Sequence, residues 1–316
     1  MDFKLGLGCW ALGSDSYGEL SEPEASKILG TAYEHGVRFF DTSPTYGKGL
    51  SEERIGKFLS NKKDILIASK VGMLPHSGLK IPYNFTKHNI ELSIDNSLRR
   101  LKIDTIYLIQ LHSPVPDFEL EFPEIFETMS RTIRSGKVQN FGISLRSPSL
   151  FEAQSELFNW KSYQYNLSIL DQRIGNFLKD GSPKLKPQLH FIARTPLNFG
   201  FLTDSPPTYS KLSNKHHLRE WSPEQFTEWG NRASDVRKLL LSHGIDLLDA
   251  ALRFPIDSEL ASIVIPGATT EKELMRNLKA FNSNKLKKDV VSDLKAFFLK
   301  NENKSISSPY SYEKLS

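Results

Sequence analysis

The chain has 316 residues, 39% hydrophobic and 25% charged, so a sizeable core is available and wholesale disorder is excluded. Lys and Arg number 41 against 37 Asp and Glu, and the +4 excess is scattered through mixed-sign segments such as EERIGK and SNKKDI. That pattern argues against nucleic acid as a partner, while a mild basic excess suits an anionic small molecule. A single cysteine, Cys9, excludes an internal disulfide and a cysteine zinc site, and no apolar run approaches the ~18 residues of a membrane span. The opening MDFKLGLGCWALG lacks the pattern of a signal peptide. The expected setting is reducing and cytoplasmic, with no membrane partner.

In chain order, eight short apolar runs read as strands: FKLGLG, VRFF, DILIAS, TIYLIQL, VQNFGIS, SYQYN, LHFIA and ASIVIP. Helical spacing fills most of the intervals. SEPEASKILGTAYEHG opens on a capping box, Ser21 with Glu24, and stops at Gly36. A second helix starts at Ser51. TKHNIELSIDNSLRRL places Ile90, Ile94 and Leu98 on one face. Further helices are expected over 122–134, 149–158, 168–180, 222–243, 271–281 and 285–299. The longest stretch without periodicity, 198–221, reads as a lid after strand seven. Residues 302–316 are polar enough to form a disordered tail, or to fold over the mouth.

Strands alternating with helices argue for an α/β chain of parallel units, and eight of them for a single (β/α)8 TIM barrel over 1–316. A rival sign is GLGCWA, Gly6 to Ala11, which fits a dinucleotide-binding glycine fingerprint. Such a fingerprint opens directly into a helix, whereas here LGSDSYGEL intervenes.

In a barrel the chemistry gathers at the C-terminal strand ends. Strand one ends near Gly8, Cys9 and Trp10, strand two on Asp41 with Tyr46 just beyond, strand three on Lys70 and strand four on His112. Ser144, Gln164, Arg194 with Thr195, and Gly267 end the remaining four. A tyrosine is a poor acid near neutral pH, and a nearby ammonium favours its phenolate. Lys70 can act so if a carboxylate such as Asp41 keeps it charged, and His112 can donate to a carbonyl oxygen. Such a group moves a proton at an oxygen bound to carbon, and hydride from a nicotinamide is the usual complement at the carbon. No metal-ligand spacing is present.

These residues resemble the aldo-keto reductase superfamily over nearly the whole chain. FDTSPTYGKGLSEERIG, ASKVG and IQLHSP resemble its catalytic segments. GIS, QYN, TPLNFGFLT and VIPGATTEKELMRNLKAF resemble its cofactor segments, in the family's order. The resemblance implies a barrel that binds an extended nicotinamide dinucleotide, with Asp41, Tyr46, Lys70 and His112 as the catalytic tetrad and Tyr46 as acid/base. It implies cofactor contacts from Gly8, Trp10 and Asp41, and from Ser144 and Gln164 at the carboxamide. It extends them to Arg194, Thr195, Pro196, Leu197 and Gly200, then to Gly267, Thr269, Thr270, Lys272, Glu273 and Asn277. Trp10, Tyr46 and His112 would face the substrate, a small carbonyl compound or sugar lactol.

The chain departs from the family in places. Leu145 stands where many members carry Asn, Arg194 where many stack an aromatic ring, and FLTD where Leu-Thr-Gly-Lys is commoner. Thr270 and Glu273 fit a capping box whose helix terminus favours an anion, with Lys272 in the first turn. NADP(H) is therefore the expected cofactor, although Glu273 occupies an arginine place of NADPH-selective members, and NAD(H) is the alternative. The expected state is a monomer or weak homo-oligomer. Two other functions fit the same residues: a Schiff-base aldolase using Lys70, and a cofactor-binding regulatory protein with low turnover.

Overall fold

A computed structural model describes residues 3–76, 78–114, 122–148, 160–178, 188–214, 216–301 and 311–314. Eight parallel strands form one sheet: β1 (Gly6–Gly8), β2 (Phe39–Asp41), β3 (Leu66–Val71), β5 (Ile106–His112), β6 (Val138–Ser144), β7 (Ser162–Asn166), β8 (His190–Arg194) and β9 (Ile263–Ile265). The first and last strands meet. Val264 N donates to Lys4 O at 2.9 Å and Gly8 N to Pro266 O at 3.0 Å, so the sheet closes into a barrel. The helices are α1 (Glu22–Glu34), α2 (Leu50–Leu59), α3 (Lys87–Leu101), α4 (Phe122–Arg134), α5 (Pro223–Ser242), α6 (Leu247–Asp257), α7 (Glu271–Phe281) and α8 (Lys288–Asn301). No helix among the described residues is long and apolar enough to cross a membrane.

In GLGCWA, Gly8 serves this closure, and Gly6 makes room for the Phe39 ring inside the barrel. A Cβ at Gly8 would lie 2.9 Å from Ile265 O, so the seam requires a residue without one. A short 3-10 turn, Ala11–Gly13, follows in place of a helix.

Local chemistry explains most helix boundaries. Ser21 accepts from Glu24 N, and the Glu24 carboxylate accepts from Ser21 N at 3.1 Å, completing the box at α1. Thr86, Ser222 and Thr270 cap α3, α5 and α7 by the same side-chain acceptance. Two assignments need correction. The helix expected over 168–180 is absent among the described residues, which hold only a 3-10 turn at Arg173–Asn176. Ser168 Oγ accepts from Leu170 N at 3.1 Å and Asp171 N at 3.0 Å, and that local turn replaces the helical bonds. Conversely, α6 lacks a legible apolar stripe because nearly all its residues are buried, and Pro255 in its last turn hides its end. The helix expected over 149–158 lies outside the described residues.

The alternation of strand residues builds the barrel interior in layers. Phe39, Ala68, Leu108, Ile192 and Ile263 are apolar residues of the lower layers. Two residues further along the same inward rows stand Asp41, Lys70, Gln110 and Arg194, with Ile265 beside Arg194, so the upper layer is mostly polar. A larger apolar core lies between strands and helices. Outside the barrel, Ser311–Lys314 of the tail form a strand, β10, parallel to β4 (Lys80–Tyr83).

Glu52 couples α2 to this frame. Its fully buried carboxylate accepts from Ser69 Oγ at 2.6 Å, on β3 beside Lys70, and from Arg100 Nε at 2.7 Å on α3. Removing one partner of a buried charged pair costs about 3–5 kcal/mol. Glu52→Ala should lower unfolding stability by about that amount in urea titration; a change below ~1 kcal/mol would show that α2 and α3 need no such tie.

Candidate active site

Asp41, Lys70 and His112 stand on β2, β3 and β5, all inward-facing at the C-terminal end of the barrel. Tyr46 comes from the 3-10 turn Tyr46–Gly49 just after β2. That turn is set by Gly47, with φ +61°, where a Cβ would collide with Gly13 O. Asp15 Oδ2 accepts from Gly47 N at 2.8 Å and holds the turn against the segment after β1. The buried Arg54 of α2 pins that segment in turn, donating to Leu12 O at 2.7 Å and Leu20 O at 2.6 Å.

Lys70 is the centre of the group. Its Nζ donates to Asp41 Oδ1 at 2.5 Å, to Thr42 O at 2.9 Å and to the Tyr46 hydroxyl at 3.2 Å. The other oxygen of Asp41 accepts from Gln164 Nε2 at 2.7 Å and Gln110 Nε2 at 3.1 Å. Burial opposes the charge on Lys70, but Asp41 and then Tyr46 hold the ammonium above the usual lysine value. For Tyr46 the order of effects differs from the sequence expectation. Burial raises the phenol above its usual value, and Lys70 offsets only part of that rise. The ring of His112 meets Tyr46 edge-on, 6.3 Å between centres, and its Nδ1 lies 3.2 Å from Ser43 Oγ. Burial first, then Lys70 and Arg194, push its pKa well below the usual value, so the imidazole is neutral.

A cavity of about 1320 Å³ runs from this group to the N-terminus of α7. Among the residues expected from the sequence, Asp41, Tyr46 and His112 line it, as do Gly8, Trp10, Gln164 and Arg194. The loop residues Thr195, Pro196, Leu197 and Gly200 follow, then Gly267, Thr269, Thr270, Lys272, Glu273 and Asn277 at the far end. Lys70 and Ser144 lie behind this lining; Ser144 Oγ donates to Gln164 Oε1 at 3.2 Å. Leu145 is buried, and its carbonyl accepts from Arg194 Nη2 at 3.1 Å.

Thr195, Asn198, Phe199 and Gly200 all have positive φ, a tightly folded loop that lines the cavity. Two buried donors lining the cavity, Arg194 Nε and Asn198 Nδ2, have no hydrogen-bond partner among the described residues. Those donors fit an elongated polar ligand such as a dinucleotide. At α7, Glu273 Oε2 accepts from Thr269 N and Thr269 Oγ1, each at 2.8 Å, while Glu273 N donates to Thr270 Oγ1 at 3.1 Å. Asp204, the last residue of FLTD, forms an ion pair with Arg276 of α7 and ties the loop to that helix. No cluster of metal-ligating side chains is present among the described residues.

Three contributors escaped the sequence reading. Gln110 lies two residues before His112 on the same inward row, so strand alternation was signal enough for it. Ser43 and Asp15 act through loop contacts that no periodicity encodes.

Comparison with known proteins agrees with this architecture. The chain is 27% identical over 297 residues to the oxidoreductase YqkF of Bacillus subtilis, covering 93% of this chain and 92% of the relative. It is 28% identical to a D-threo-aldose 1-dehydrogenase of a Pseudomonas species, over 86% of this chain and 87% of the relative. The aldo-keto reductase AKR11C1 from Bacillus halodurans in its holo form superposes with a TM-score of 0.75 at 24% identity, covering 93% of this chain and 91% of that one. Residues 4–298 match the Aldo/keto reductase family model, and the chain belongs to that family of oxidoreductases.

Proposed function

We propose that the protein is a nicotinamide-dependent oxidoreductase that interconverts an aldehyde, ketone or sugar lactol with an alcohol or lactone, using Tyr46 as the acid/base. The observation that carries this reading is the Lys70 ammonium, which bonds at once to Asp41 and to the Tyr46 hydroxyl. A bound nicotinamide would supply or accept the hydride at carbon, held by Gln164, Arg194, the 195–200 loop and the α7 terminus.

The chain's own residues handle the oxygen. Because burial keeps the phenol above its usual value, Tyr46 is protonated at neutral pH and is ready to give its proton to a carbonyl oxygen. The adjacent Lys70 ammonium stabilises the phenolate left behind. If Ser43 donates to Nδ1 of the neutral His112, the proton of the imidazole resides on Nε2, where it can orient the carbonyl. The aldolase alternative fits less well, since a Schiff-base lysine needs a free amine and Asp41 keeps Lys70 charged.

Tyr46→Phe should lower kcat/KM for carbonyl reduction by about 10²–10⁴-fold while the Kd for NADPH, read by fluorescence, stays unchanged. In the parent, the reductive rate should hold through neutral pH and fall in alkali as Tyr46 loses its proton; the oxidative rate should rise over the same range. Near-normal turnover by the variant would remove Tyr46 from the mechanism.

Lys70→Met should be impaired on the same scale, and Asp41→Asn less so, because Asp41 acts through Lys70. An active Lys70→Met enzyme, or trapping of substrate on Lys70 by borohydride, would overturn the role given to the ammonium.

NADP(H) is the proposed cofactor, with NAD(H) as the alternative. The Glu273 carboxylate is engaged by Thr269, which limits its repulsion of a 2′-phosphate, and Lys272 stands in the same turn. A preference of ~10-fold in kcat/KM, about 1.4 kcal/mol, is expected. Glu273→Arg should enlarge it. Equal or better use of NADH by the parent enzyme would reverse the assignment.

A further inference from the structure

His217 lies in the long loop after β8 and lines the cavity, yet only 5% of it is exposed. Neither of its ring nitrogens has a hydrogen-bond partner among the described residues. Buried polar atoms are almost always paired, so two orphans on one ring in a ligand cavity point to a missing ligand. The ring is also firmly placed. His217 N donates to Ser16 O at 2.9 Å, and aromatic rings enclose the side chain: Tyr17 at 4.6 Å, Trp10 at 4.9 Å and Phe199 at 5.1 Å between centres. Its neighbour His216 differs, since its Nδ1 already accepts from Leu218 N at 3.2 Å.

Burial first, and then His216, push the His217 pKa down to about 3. The ring is therefore neutral, with one N–H donor and one acceptor nitrogen. The two nitrogens point away from each other, and a hydroxyl, which both donates and accepts, can pair with either one of them. The aromatic walls suit the C–H faces of a sugar-like chain.

Trp10 relates this ring to the chemistry. On one face it stacks near Tyr46, 6.1 Å between centres, and it meets His217 edge-on elsewhere. Trp10 thus touches both the ring of Tyr46 and the ring of His217 along one wall of the cavity.

We propose that His217 binds a hydroxyl of the substrate other than the oxygen at the reacting carbon, which makes the pocket selective for polyhydroxy aldehydes or sugar lactols over plain aldehydes. This assignment rests on the carbonyl oxidoreductase reading above. A plain alkyl chain would leave both nitrogens unpaired, and a site built around a hydrogen bond discriminates strongly against ligands that lack the matching group.

The test compares the parent enzyme with His217→Phe on an aldopentose and on pentanal, which share a five-carbon chain. The parent should prefer the aldopentose. His217→Phe should lose ~10–100-fold in kcat/KM on the aldopentose, mainly through KM, and change by less than ~3-fold on pentanal. His217→Asn, which keeps a donor and an acceptor, should recover part of the loss, and the Kd for NADPH should not move. Should His217→Phe fail to fold, His217→Leu carries the same comparison. A parent that prefers pentanal, or a variant that lowers both substrates alike or neither, overturns the role of His217 while the reaction stands. A parent that turns over neither compound in either direction overturns the reaction assignment, and this one with it.

Discussion

The buried ion pair of Lys70 and Asp41 is the constraint around which the upper barrel is arranged. Two charges taken from water are tolerated only when every remaining bonding site is met. Here the carboxylate also accepts from two glutamine amides, and the ammonium also donates to Thr42 O and the Tyr46 hydroxyl. Satisfying the pair therefore fixes residues from β2, β3, β5 and β7 in one polar layer. The layer beneath is mostly apolar, and together they separate a packed floor from the open mouth of the barrel. The tyrosine is held in reach of the ammonium by a different route, through Gly47 and Asp15 in the loops after the barrel's first two strands and Arg54 of α2.

The eight strands were legible because each is a short apolar run between turn residues, and because the helix caps leave a local signature. Ser21 with Glu24 and Thr270 with Glu273 are written within four residues of each other, so periodicity and capping expose them. The helix at 247–257 was not legible, since a helix buried on almost all sides has no polar face to set its period. Residues 168–178 failed for the opposite reason: their spacing suits a helix, but Ser168 captures the backbone first.

Strand ends told which residues converge, but not how the balance among them falls. The tuning of Tyr46 is a contest between burial and the Lys70 charge, and only the packed structure shows that burial prevails. Likewise the GLGCWA glycines carry the same letters whether they cradle a phosphate or let a barrel wall pack. The carbonyl of Ile265 against Gly8 and the Phe39 ring against Gly6 show the packing use. The pairing of 311–314 with 80–83 joins segments with no shared periodicity, and it brings Tyr312 to the cavity edge under the Arg146 guanidinium, 3.9 Å from the ring centre.

Cys9 gives the site a property that its composition hides. The one thiol of the chain borders the reactive group, donating to Leu7 O at 3.5 Å while its own carbonyl accepts from Ser51 Oγ at 2.8 Å. Burial and then the Asp41 charge push its pKa far above that of an ordinary thiol. Oxidants and alkylating agents attack the thiolate, and this sulfur has almost none. The Cys9 sulfur in the cavity wall is thereby held in the thiol form, which such reagents attack least.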